Sequence, residues 1–410
     1  MSRPNIFYHW QEQAVNAFVQ SGALSRPQAY VLTAFSFGIV RAASCALTAV
    51  AGKLPFLGQA NTVQQRLKYW LRDGQDKRTP GEPQIEVRQT FLPLIQWVLS
   101  LWQGQQLALA IDATTLHDDL IVLAIALLYR GTAIPLVWIC LPANCKGAWM
   151  PHILRLLQLL RQAIPSSYYV LVLADRGLYS PRLYKRIRHY RWHALLRINT
   201  QGQFKPRYRE ARPIQSFLPG PGYQWRGRGR AFKNNPIPCT LVAIWLEGQE
   251  EAWFLLTDLG ATQVQASWYG LRLWIELGFR VLKSIGWQWQ KSRISNPQRA
   301  ERLWLALSLA TIWTLAYGTW AEDQAAASSM PRSSEGPSAT CSTTSADQAA
   351  PPGDPGLEAV QGRQANTRPR QKSVFQRGLE ALAERIWGTK RPLKRLHLVP
   401  EPWPRVIKNE

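Results

Sequence analysis

The chain has 410 residues, 46% of them hydrophobic, which is room for two or three domains with a sizeable core and excludes disorder throughout. Its 49 lysines and arginines against 26 aspartates and glutamates leave a net charge of +23, a balance that favours a polyanionic partner through counterion release. Five cysteines without a C-x-x-C pair and six histidines without H-E-x-x-H argue against a zinc site or a disulfide framework.

A reducing cytoplasm suits these cysteines, and the opening MSRPNIFYHWQEQ lacks the apolar run of a signal peptide. Residues 1–104 read as a helical DNA-binding domain. Ser25 and Pro27 open a long apolar-periodic run, and a break at GKLPFLGQ follows it. A second helix over Thr62–Arg72 carries Gln64, Gln65, Arg66, Lys68, Tyr69 and Arg72, residue types that reach base edges and phosphates. A solvated amphipathic helix has the same pattern.

From Leu107 the texture changes to short apolar runs. LALAID (107–112), LIVLAIALLYR (120–130) and AIPLVWICLP (133–142) predict an antiparallel meander. A helix near 150–163, a strand at YYVLVLAD (168–175), a helix at 181–190 and a strand at HALLRIN (193–199) come next. Three strands followed by alternating helix and strand predict an α/β architecture with a mixed β-sheet, its first part spanning 105–200. Residues 201–262, rich in Gly, Pro and Arg, read as a β-rich insertion with strands at 239–246 and 251–258. Helices return over 264–285 and 297–320, within a second core segment at 263–320. LWLALSLATIWTLAYGTW (303–320) has no charge and is long enough to cross a membrane, but a helix buried in a large core has the same composition. The stretch 321–372, dominated by Ser, Ala, Pro and Gly, reads as a disordered linker, and 373–410 as a basic tail that opens on a helix.

Two carboxylates, Asp112 and Asp175, end apolar strands, where α/β sheets open their ligand crevice. Either alone reads equally as a turn or helix-capping aspartate. Asp118 and Asp119, in LHDDL, fit an exposed hairpin turn. A third acid, Glu276, lies on a helix where Tyr269, Arg272, Arg280 and Lys283 fall within roughly ±40° of the same direction. An Arg272–Glu276 surface pair explains two of these residues and leaves the Tyr and Lys of the stripe without a reason. Three converging carboxylates can instead hold two divalent cations, one beside the attacking oxygen and one beside the leaving oxygen of a phosphoryl displacement. Magnesium suits such hard oxygen donors, with manganese as its substitute.

The spacing of Tyr269, Arg272, Glu276 and Lys283 resembles the Y-x2-R-x3-E-x6-K signature of bacterial insertion-sequence transposases of the DDE type, family four and its relatives. AIDATTL around Asp112 and VLADRGLYS around Asp175-Arg176 resemble that family's first two acid motifs, and the likeness spans about residues 60–320. It implies a ribonuclease H-like catalytic core interrupted by a β-strand insertion. Asp112, Asp175 and Glu276 would be the catalytic metal ligands for two magnesium ions. Tyr269, Arg272 and Lys283 would grip DNA phosphates, with Arg176 and Arg280 beside them, and Trp253, or failing it Trp245, would stack a flipped base. The implied reaction is magnesium-dependent cleavage of element ends through a DNA hairpin, then strand transfer into target DNA. The implied partners are double-stranded DNA, as terminal inverted repeats and target, and a second copy of the chain in a homodimer. No membrane is expected, and a nucleoid-associated place in a bacterial cytoplasm is. An inactive DNA-binding relic or repressor, or another ribonuclease H-like nuclease, is the alternative. The arginines of 201–262, among them Arg226, Arg228 and Arg230, suit backbone contacts.

Overall fold

In the computed structural model, residues 5–77, 84–144, 149–329, 357–359, 371–387, 391–393 and 395–404 are described. The chain enters through α1 (Asn5–Ala14) and continues to α2 (Arg26–Ala42), α3 (Leu47–Gly52), α4 (Ala60–Leu71) and α5 (Val87–Leu101). The start of α2 is fixed by a capping box: Ser25 accepts from the Gln28 amide, while the Gln28 side chain accepts from the Ser25 amide. On α4 the apolar positions Val63, Leu67, Trp70 and Leu71 face inward.

One mixed sheet organises the rest. Its strands are β1 (Gln106–Leu116), β2 (Leu120–Tyr129), β3 (Thr132–Pro142), β4 (Tyr169–Ala174), β5 (His193–Arg197), β6 (Gln203–Pro206), β7 (Arg212–Pro213), β8 (Tyr223–Ala231), β9 (Ile237–Trp245), β10 (Trp253–Thr257) and β11 (Leu357–Ala359). The order is β3-β2-β1-β4-β5-β10-β9-β8-β6-β7, with β11 paired to β8. β1, β2 and β3 form the expected antiparallel meander, β4 pairs parallel to β1, and β5 pairs parallel to β4. Their crossovers are α6 (Trp149–Ala163) and α7 (Pro181–His189). Every residue of β2 is buried, which is why it reads as an unbroken apolar run. The strands of 201–262 do not form a separate layer: β10 pairs antiparallel with β5, so they lengthen the same sheet.

The expected helix over 264–285 is three pieces: a 3-10 turn over Ala266–Arg272, α8 (Leu273–Arg280) and a π turn over Val281–Ile285. Gly278 lies against the backbone of Ala133 on β3, so α8 packs close to the sheet. Ile285, the last residue of the π turn, is 63% exposed.

Over 303–319 the long helix α9 (Pro297–Ser329) is apolar on all faces because it is covered on all faces. It is long and apolar enough to cross a membrane, yet 94% of its most apolar window lies inside the fold. Trp313 stacks on Trp10 at 3.9 Å, and Ser308 and Thr311 donate to the carbonyls of Pro135 and Leu307. Against it packs α10 (Val374–Trp387). Gly318 meets the Val374 carbonyl and Gly378 the Thr314 carbonyl so closely that neither site has room for a Cβ.

Most of the expected linker at 321–372 lies outside the described residues, and α9 takes its first residues into a helix. The tail returns to the core. Leu398 bonds the backbone of Leu101 and Gln103, the Val399 carbonyl accepts from Arg130, and Trp403 lies against Tyr169 and Trp268.

Candidate active site

Asp112 was expected at the end of a strand, and it lies within one. β1 runs on to Leu116 as a hairpin with β2, but its parallel pairing with β4 stops at Ile111–Ala174. The crevice therefore opens beside Asp112, and Asp175, the first residue after β4, stands across it. Asp118 and Asp119 are exposed in the β1–β2 turn.

Between the acids lies one guanidinium. Arg272 Nη2 donates to Asp112 Oδ2 at 3.1 Å and stands 3.9 Å from Asp175 Oδ2, while Nη1 donates to Glu276 Oε1 at 2.6 Å. Arg272 Nε is buried with no hydrogen-bond partner among the described residues, so its N–H is left unused. Asp112 Oδ1 accepts from the Ala113 amide at 2.8 Å. Burial pushes the Asp112 carboxyl above the usual value, with Glu276 and Asp175 adding to the effect and Arg272 opposing it. Burial works against the charge of Arg272, but Asp112, Tyr269 and Asp175 outweigh it and raise its pKa.

Tyr269 and Arg272 sit three residues apart on the 3-10 turn, where such positions eclipse and point the same way. The Tyr269 hydroxyl donates to Asp175 Oδ1 at 3.3 Å, and burial first, then Asp175, raises its pKa. Trp253, at the start of β10, sets its ring edge-on to Tyr269 at 5.1 Å. Trp245, at the end of β9, instead donates its indole N–H to the Gln249 carbonyl.

Two residues that sequence reading missed, Arg197 and Glu251, complete the surround. Arg197, on β5, stands 3.7 Å from Asp175 Oδ1 and donates to Glu251 Oε2 at 2.7 Å. Arg176 reaches the same Glu251 at 3.1 Å. An arginine closing the buried run HALLR was the available signal, but only sheet register places it beside Asp175. Arg280 and Lys283 lie further along the helix past Glu276. Arg280 is exposed, and burial holds the Lys283 ammonium below its usual pKa. Neither is brought into the cluster of acids by a side-chain contact described here.

Among the described residues, no three Asp, Glu, His or Cys side chains are grouped to hold a metal ion as they stand. The three acids meet at Arg272 instead. Their donor set is all hard carboxylate oxygen, the donor type that hard divalent cations take.

Residues 146–313 match the family described as the transposase DDE domain. The match takes in Asp175, Tyr269, Arg272, Glu276 and Lys283 and leaves Asp112 outside it. The match spans less than half of the chain and is a likeness to DDE transposases, enzymes that cut and transpose DNA and generally use divalent metal ions. No curated protein matches the chain. Among solved structures, the cryo-EM structure of a piggyBac transposase synaptic complex with hairpin DNA is similar, with a TM-score of 0.42 and 11% identity, over 75% of this chain and 72% of that one.

Proposed function

We propose that this chain is a DDE transposase of the insertion-sequence type that cuts the ends of its element through a DNA hairpin and joins them to target DNA. The observation that carries the reading is the meeting of Asp112, Asp175 and Glu276 on the single guanidinium of Arg272. Asp112 and Asp175 come from strands distant in sequence from Arg272, and Asp112 is mostly buried against it, which the surface pair of Arg272 with Glu276 does not require.

On this reading β1 to β5 with α6 to α8 form a ribonuclease H-like core, and the strand order β3-β2-β1-β4-β5 supports it. The carboxylates of Asp112, Asp175 and Glu276 would hold two magnesium ions. Bound there, the cations would supply positive charge for activating the attacking oxygen and stabilising the leaving one. Arg272, relieved of its carboxylates, turns its guanidinium and its unused Nε to a DNA phosphate, for which its planar fork is suited. Tyr269 holds the crevice wall against Asp175 and supports Trp253, whose half-buried ring is available to stack an unpaired base. Lys283 and Arg280 extend the basic stripe along the backbone, and Arg176 flanks it. Residues 1–104 read the terminal repeats, and a homodimer synapses two ends.

The test is cleavage of a plasmid carrying the element with its flanking DNA, in magnesium. Wild type cuts at the element ends, and Asp112→Asn, Asp175→Asn and Glu276→Gln each fall by at least about a hundredfold, a barrier increase of roughly 2.7 kcal/mol. Equal cutting by wild type and Glu276→Gln removes the assignment.

A further inference from the structure

β8 reads YQWRGRGRA, and the alternation has a physical cause on each face. On the odd face Trp225 is buried against Phe204 and Phe217, and a Cβ at Gly227 would strike the Trp225 ring. A Cβ at Gly229 would strike the Lys205 carbonyl. Glycine is forced there by close packing, although it weakens a strand. The even face carries Arg226, Arg228 and Arg230, the last two exposed, and exposed Lys205 of β6 pairs beside Arg230. Arg228 is steadied by donating to the Asp258 carbonyl.

Register ties this face to the acids. Arg226 pairs with Val242, Val242 with Leu255 and Leu255 with Arg197, so the four share one face of the sheet. Arg197 in turn touches Asp175. From β4 to β8 is four strand steps, roughly 19 Å at about 4.8 Å per step. That distance is the axial rise of about six base pairs, so the arginines and the acids cannot hold the same phosphate. The three arginines span roughly 14 Å along β8, the rise of about four nucleotides on one strand.

We propose that Arg226, Arg228 and Arg230, with Lys205, form a phosphate rail for duplex DNA, on the face that carries the acids and about half a helical turn away from them. The proposal deepens the transposase reading and rests on it. It commits to a nucleic-acid backbone because the exposed side chains described on this face of β8 and β6, Arg228, Arg230 and Lys205, are regularly spaced cations.

The test measures binding of the full chain to a mixed-sequence B-form duplex of several helical turns, by fluorescence anisotropy over a range of KCl, with EDTA present to prevent cutting. Backbone contacts carry no sequence information, so a mixed-sequence duplex is a fair probe. Arg226→Gln, Arg228→Gln and Arg230→Gln together reduce the slope of log K against log salt by about two to three, near 0.9 per phosphate contact. The corresponding triple lysine variant keeps the slope, and both variants keep the wild-type melting temperature. An unchanged slope in the glutamine variant overturns the rail, and so does equal loss in the lysine variant, which would signal lost structure and not lost charge. If Glu276→Gln cuts like wild type while the glutamine triple still loses its slope, the transposase reading falls and the rail stands as a DNA surface. Wild type that binds without salt dependence overturns both.

Discussion

Arg272 stands where cations would be held, so its replacement by glutamine is the most informative single change. The guanidinium lies 3.1 Å from Asp112, 2.6 Å from Glu276 and 3.9 Å from Asp175, with side-chain exposures of 15%, 50% and 32% for the three acids. Removing one partner of a fully buried ion pair costs about 3–5 kcal/mol. Partial hydration of Asp112 and Asp175 lowers that figure, the half-exposed Glu276 adds at most about 1 kcal/mol, and the glutamine amide regains about 1 kcal/mol. The net is a loss of about 2–3 kcal/mol, a fall of roughly 2–4 °C in melting temperature for a chain of this size. Thermal melts in EDTA measure it. Millimolar magnesium stabilises Arg272→Gln more than wild type, because in wild type the guanidinium competes for the same oxygens. Two results refute the reasoning: a variant that melts within about 1 °C of wild type in EDTA, or equal stabilisation of both proteins by magnesium.

Two further predictions concern the contacts of the start of α9 with the helical N-terminal region and with β3. Arg302 is 2% exposed and donates to Asp73 at 2.8 Å and to the carbonyls of Leu71 and Ile85, while Arg299 also pairs with Asp73. Asp73→Ala leaves a buried guanidinium without its carboxylate and lowers stability by about 3 kcal/mol in urea titrations; a loss below about 1 kcal/mol, the scale of a surface pair, would show that water reaches Arg302. Glu301 accepts from the Cys140 amide at 2.9 Å, and burial raises its carboxyl pKa above the usual 4.5. A raised folded value means that the native state holds this proton more tightly than the unfolded chain, so the group favours folding below pH 4.5 and loses that contribution as pH climbs through its folded value. Glu301→Gln, which keeps an acceptor for Cys140, therefore melts higher than wild type at pH 7. The difference closes as pH falls toward 4.5; a constant difference across that window contradicts the assignment.

Local chemistry made much of this protein legible from its residues in order. β2 and β3 are apolar runs because both their faces are covered, α2 starts at a capping box written in Ser25 and Gln28, and Tyr269, Arg272 and Glu276 share a stripe because helical spacing puts them there. Other features depend on partners far along the chain. The break of the helix at Arg272 and again at Val281 follows from packing α8 against β3, and the place of Asp112 within β1 depends on where β4 stops pairing. Arg197 and Glu251 enter the site through register, which no local pattern encodes.

The sequence by itself determined the identity of the acids, the basic stripe beside them and the net charge of +23, because these are set by residue type and short-range spacing. Only the tertiary structure decided that the three acids share one arginine, that the strands of 201–262 lengthen the sheet of β1 to β5, and that α9 spends its apolar faces on the core. Each of these depends on which surfaces meet, and burial and strand register are settled between segments far apart in the chain.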